Sequence, residues 1–135
     1  EPVKLVYPVE GGDFIEAGEA SSKMKMTLKK LGLPSDVIRK AAICMYEGEI
    51  NMVIHANGGR AEVEVTLDQI VLKMIDEGPG IPDVAKAMEP MYTTAPDGER
   101  SGMGFSFMEA FMDQVEVVSA PGSGTTVTMR KKIGR

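Results

Sequence analysis

The chain has 135 residues, 43% hydrophobic and 26% charged, with a net charge of −5 and a pI near 4.9. That length fits one domain with a core of its own, and the acidic balance argues against a nucleic-acid binder, which needs a basic face. No apolar run is long enough to span a bilayer, and the single cysteine, Cys44, excludes a disulfide framework and points to a reducing, cytoplasmic setting.

The opening Glu1-Pro2-Val3-Lys4 lacks an initiator Met and does not read as a signal peptide, as expected of a trimmed chain or a piece of a longer one. Residues 4–9 alternate weakly and read as a short strand. Glu10-Gly11-Gly12-Asp13 forms a turn, with Asp13 as N-cap of a helix over 14–31 in which Gly18 is a weak point near the start. Gly32-Leu33-Pro34 ends that helix, Ser35 caps the next, and Asn57-Gly58-Gly59 stops it. Residues 61–67 alternate cleanly and predict a half-exposed strand. Asp68-Gln69 reads as a tight turn into a more apolar, more central strand over 70–75. A short helix is expected over 82–88 and an irregular, lid-like segment over 89–101. A helix over 103–112, a strand over 115–119, a hairpin turn at 120–124 and a last strand over 125–131 complete the chain. Strands joined by tight turns, with helices left to cover one face, predict an α+β, two-layer α/β sandwich with a mixed, mostly antiparallel sheet. The eleven methionines read as core filling, with an adaptable partner surface as the alternative.

The helix over 35–56 is apolar around most of its circumference, as a buried helix is. Glu47 and Asn51 nevertheless lie four residues apart on one face. Such a pair is costly to bury unless it is satisfied. One reading is a paired polar patch at the core edge. The other is a site where Asn51 holds a metal and Glu47 activates a nucleophile. Three further motifs bear on the choice. Asp76-x-Gly78-x-Gly80 follows a strand, offering a fixed acceptor and a backbone that a flat ligand can approach. Ser101-Gly102-Met103-Gly104 opens a helix, where successive N–H groups suit phosphate. Gly124-Thr125-Thr126 starts the last strand. There is no P-loop.

In this order the motifs resemble the GHKL ATPase superfamily, and within it the bacterial anti-sigma factor serine kinases. The similarity spans roughly residues 35–131 and is carried by Asp76-Glu77-Gly78-Pro79-Gly80-Ile81, Tyr92-Thr93-Thr94, Glu99 through Phe105, Met108, Phe111-Met112-Asp113 and Gly124-Thr125-Thr126. His55-Ala56-Asn57-Gly58-Gly59 is also similar to the stress-response switch kinases of that family. The resemblance implies a single Bergerat-type ATP-binding domain over 1–135, with an ATP lid at about 89–104. It implies ATP and Mg2+ as cofactors, Asn51 as Mg2+ ligand and Glu47 as general base. By the same resemblance Asp76 accepts from the adenine amino group, Gly78 and Gly80 pass the base, and Thr125 supports the adenine edge. Gly102, Met103 and Gly104 hold phosphates, Thr93 and Thr94 lie in the lid beside them, and Arg100 is either a phosphate contact or a solvated lid charge. His55, one turn beyond Asn51, is expected to be structural, and Glu49, about 200° round the helix from Asn51, is not expected to be catalytic. Gly48 marks close packing or close ligand approach.

The activity implied is a serine/threonine protein kinase acting on a small, anti-anti-sigma-like regulatory protein, with a sigma factor as a second candidate partner and a homodimer left open. No nucleic-acid or membrane partner is expected. The alternative is an ATP-gated protein-binding module with little turnover. A larger histidine-kinase machine is disfavoured, since His55 is the only histidine and no phosphoacceptor helix is present.

Overall fold

The computed structural model describes residues 2–10, 17–55, 58–76, 103–119 and 124–134, with the backbone alone for 54, 55 and 103–105. The described strands are β1 (Val3–Glu10), β2 (Gly58–Val65), β3 (Gln69–Asp76), β4 (Gln114–Ser119) and β5 (Thr125–Lys132). The described helices are α1 (Glu19–Lys30), α2 (Ser35–His55) and α3 (Met103–Phe111). Among the described residues the strands form one sheet in the order β1-β2-β3-β5-β4, and every pairing is antiparallel. The expectation of a mostly antiparallel sheet with a more central third strand therefore holds.

Strand periodicity puts alternate residues on the helix-facing side. Two rows cross all five strands there: Leu5, Val63, Leu72, Met129 and Val115, then Tyr7, Ala61, Met74, Val127 and Val117. Their central members are buried, and with α1, α2 and α3 they form the core. Met24, Met45, Met52, Met74, Met108, Met112 and Met129 all lie in that core, so the methionine content is mainly core filling. The opposite face carries mixed charge, including Lys4 paired with Glu64 at 3.8 Å and Arg60 paired with Glu62 at 2.8 Å. Exposed pairs of this kind contribute at most about 1 kcal/mol each.

Several element ends differ from the sequence expectations for identifiable reasons. Gly18 is not inside α1. It is the N-cap residue, at φ 95°, and α1 starts at Glu19. The proposed cap Asp13 and residues 14–16 lie outside the described residues. At the other end Gly32 N–H bonds to Lys29 C=O at 3.1 Å and Leu33 N–H to Leu28 C=O at 3.3 Å, a Schellman motif closed by buried Leu28 and Leu33. α2 ends at His55, just before the expected Asn57-Gly58-Gly59 stop, of which Asn57 lies outside the described residues, while Gly58 and Gly59 open β2 opposite Glu10 and Val9. The β2–β3 turn is Thr66-Leu67-Asp68, not Asp68-Gln69. The Thr66 Oγ1 accepts from the N–H groups of Asp68 and Gln69 at 3.3 and 3.2 Å, and Gln69 is already in β3. The helix expected at 82–88 and the lid segment lie outside the described residues.

Candidate functional site

A third row continues the two apolar rows toward one end of the sheet: Val9, Gly59, Asp76, Thr125 and Ser119. Here the helix-facing side changes from apolar to polar. Asp76 ends β3, and its Oδ1 accepts the Thr125 backbone N–H at 3.1 Å. Buried Thr125 places its hydroxyl 2.8 Å from that of Ser119, which in turn donates to the Gly124 carbonyl at 3.1 Å. Gly59 has no side chain for a packing reason. A Cβ there would stand 2.1 Å from the Ile75 carbonyl oxygen, so β2 approaches the end of β3 as closely as backbone allows. The structure thus brings the candidate residues Asp76 and Thr125 together and adds Ser119, which has no distinguishing mark in the sequence.

The second part of the site lies on α2. Glu47 and Asn51 are half-buried, one turn apart on the same helix face. Glu47 opens onto a groove between the helices that is also lined by Gly18, Lys25, Tyr46, Phe107 and Phe111. The two phenylalanines, four residues apart on α3, stack with centroids 5.9 Å apart. Gly48 between Glu47 and Glu49 reflects close packing. A Cβ there would come within 2.7 Å of the Met74 Cγ, so α2 rides directly on β3.

Glu49 is not a member of this pair, as expected, but it has a structural role that its sequence position did not disclose. It is 2% exposed, and its carboxylate accepts N–H bonds from Gly18 at 3.1 Å, Ala20 at 3.2 Å and Ser21 at 2.8 Å. These are the orphan donors at the start of α1, where no side chain of α1 or its N-cap residue supplies the cap. A negative charge at a helix N-terminus is favourable, so one carboxylate both caps α1 and pins it to α2 beside Glu47.

Cys44 is buried and its Sγ donates to the Phe107 carbonyl at 3.7 Å. Burial, reinforced by the negative charge of Glu47 and partly offset by Lys131, pushes its thiol up to about 12. It is therefore a neutral packing group rather than a nucleophile.

α3 starts at Met103, so the glycine turn expected to meet phosphates does open a helix. The Met103 side chain lies outside the described residues. In the first turn of α3 the Ser106 hydroxyl oxygen is buried without a hydrogen-bond partner among the described residues. Such atoms are rare, and one at a helix start suits a ligand oxygen. Gly78, Gly80, Thr93, Thr94, Arg100 and Gly102 lie outside the described residues, as does the His55 side chain. Among the described residues no cluster of three or more His, Cys, Asp or Glu is placed to hold a metal.

The sequence profile of the histidine kinase-like ATPase domain matches residues 16–131. The chain belongs to that family. Curated relatives place it on the anti-sigma factor branch of these ATPase domains. An anti-sigma F factor of Clostridium acetobutylicum is 36% identical over 137 residues, covering 96% of this chain and 91% of the relative. Those of Clostridium beijerinckii and Pasteuria penetrans are 44% and 49% identical, over 72% and 64% of this chain and 72% and 63% of the relatives. The chain thus spans about two thirds of the length of several relatives it matches. Among solved structures, the RsbU and RsbW domains of a Mycobacterium tuberculosis protein superpose with a TM-score of 0.62 at 15% identity, over 98% of this chain and 32% of that one. The histidine kinase domain of a blue-light activated kinase from Erythrobacter litoralis gives 0.57 at 16% identity, over 87% and 61%. At such identities these two show the shared fold alone. Membership in this ATPase family makes the chain an ATP-binding regulatory domain. No described helix is long and apolar enough to cross a membrane.

Proposed function

We propose that the protein binds ATP with Mg2+ between α2 and the polar end of the sheet, and transfers a phosphoryl group to a serine or threonine of a small regulatory protein. Two polar groups of the structure support this reading, one on α2 and one at the sheet end. Glu47 and Asn51 lie one turn apart on α2, and the strand register brings Asp76 and Thr125 side by side on the helix-facing side of the sheet. Asp76 would accept from an amino group on the base, and Thr125 would support the same edge. The carboxamide oxygen of Asn51 is a hard donor suited to Mg2+. The α3 N-terminus, with Ser106, suits phosphate. Bound ATP supplies the transferable group. Glu47, at the groove, would take the proton from an attacking serine or threonine hydroxyl, with ATP supplying the γ-phosphoryl group and ADP as the leaving group. The relatives are anti-sigma F factors, so the partners proposed are a sigma factor and an anti-anti-sigma-like substrate, met in the cytoplasm.

A second reading keeps ATP binding but not turnover, with nucleotide setting only partner affinity. The Glu49 link favours it, because a shift of α2 on ligand binding would be carried directly to the start of α1. Phosphate transfer from labelled ATP to candidate partners separates the two. Transfer by the wild type that is lost in Glu47→Ala, with ATP binding retained, supports the kinase. ATP-dependent partner binding without transfer by the wild type supports the module and sinks the kinase.

A further inference from the structure

The polar row at the sheet end contains a constraint on proton positions. A serine or threonine hydroxyl has one proton to donate. The Gly124 carbonyl can only accept, so the Ser119 proton is committed there, at 3.1 Å. The 2.8 Å contact between the two hydroxyls must then be made by the Thr125 proton, donated to Ser119. That leaves the Thr125 oxygen as an acceptor. Asp76 beside it is an acceptor as well, held in place by the Thr125 N–H at 3.1 Å.

We propose that Ser119 is a specificity-determining positioning residue: by holding the Thr125 proton it makes both Thr125 and Asp76 acceptors, so that the site takes a purine bearing an exocyclic amino group and rejects one bearing a carbonyl there. The inference rests on the ATP reading above. An adenine-type edge offers a donor to two acceptors. A guanine-type edge offers a carbonyl, and neither Thr125 nor Asp76 then has a proton to give it. Leaving buried polar groups unpaired discriminates far more strongly than losing a contact does. Ser119 need not touch the ligand, because it acts through Thr125. Nothing in its local sequence, the last residue of an edge strand, marks it for this role.

The test is equilibrium binding of Mg-ATP and Mg-GTP to the wild type, Ser119→Ala, Ser119→Thr and Thr125→Val, with thermal unfolding of each as control. The wild type is expected to prefer ATP. In Ser119→Ala the Thr125 hydroxyl is released to rotate toward the ligand, and the ATP:GTP affinity ratio falls about tenfold, the worth of one hydrogen bond. Ser119→Thr keeps a hydroxyl and keeps the ratio. Thr125→Val removes the same acceptor without disturbing the Ser119–Gly124 bond, and lowers the ratio too. A purely structural role for Ser119 would weaken both nucleotides in parallel. An unchanged ratio in folded Ser119→Ala, or in Thr125→Val, overturns the inference, as does Ser119→Thr behaving like Ser119→Ala. A wild type that binds neither nucleotide refutes the ATP reading, and this inference with it. ATP binding with an unchanged ratio in the variants refutes this inference alone.

Discussion

Replacing Glu49 with alanine strips α1 of its cap from 28 to 31 residues away in the chain. Three backbone donors lose their acceptor. The Gly18 N–H is only partly buried and water can replace the carboxylate there. The Ala20 and Ser21 bonds are buried, so those N–H groups stay unpaired. A buried unsatisfied donor costs about 1–3 kcal/mol, so two give a loss of about 4 kcal/mol, before any contribution from the vacated volume. That is a large share of the roughly 5–15 kcal/mol that holds a domain of this kind together. Glu49→Gln keeps one carbonyl acceptor and is expected to lose about half as much. Urea unfolding gives the free energies, and amide exchange at Ala20 and Ser21 gives the local effect, which should be larger than at buried amides of β3. A loss below about 1 kcal/mol in Glu49→Ala, or equal losses in the two variants, would refute the capping role.

Gly48→Ala is expected to destabilise the fold by about 1 kcal/mol. The gain of about 1 kcal/mol in helix propensity is outweighed by an overpacking cost of about 1–3 kcal/mol against Met74. In a Met74→Ala background the same change should become stabilising, which thermal unfolding of the four proteins of the cycle reads directly. Cys44 makes stability depend on alkaline pH. Its thiol is held neutral in the fold up to about 12, while in the unfolded chain it ionises near its ordinary value of 9.0. The folded value is the raised one, so the contribution is complete below pH 9 and lost as pH rises toward 12. The slope is about 1.4 kcal/mol per pH unit. Subtracting the unfolding profile of Cys44→Ala from that of the wild type isolates this slope from those of the lysines and tyrosines.

The layers of the fold were legible because they follow from local pattern. The alternation of Ala61, Val63 and Val65 and the apolar run through Ile70 and Leu72 specify which strand faces lie under helices. The long apolar surround of Glu47 and Asn51 likewise specifies a buried helix. Glu47, Asn51, Asp76 and Thr125 could be picked out because their residue types and order resemble a known family. Ser119 could not, since its role depends on β4 lying beside β5 and on two hydroxyls sharing protons across that pairing. The capping role of Glu49 was hidden for a similar reason. Helix geometry gives the direction of a side chain but not the element it meets, and here it meets the bare N-terminus of another helix. Gly18 looked like a flaw inside that helix because its positive φ has no signature beyond the residue type itself.

The central claim is that ATP is held at the sheet end by Asp76. Mg-ATP affinity, measured by calorimetry on the wild type and Asp76→Asn, tests it most directly. Asparagine keeps an oxygen for the Thr125 N–H but presents an amide donor where the carboxylate offered an acceptor. The expected result is Mg-ATP binding by the wild type and a loss of at least about tenfold in Asp76→Asn, equivalent to about 1.4 kcal/mol, with an unfolding temperature close to that of the wild type. No binding by the wild type, or equal binding by the two, would contradict it.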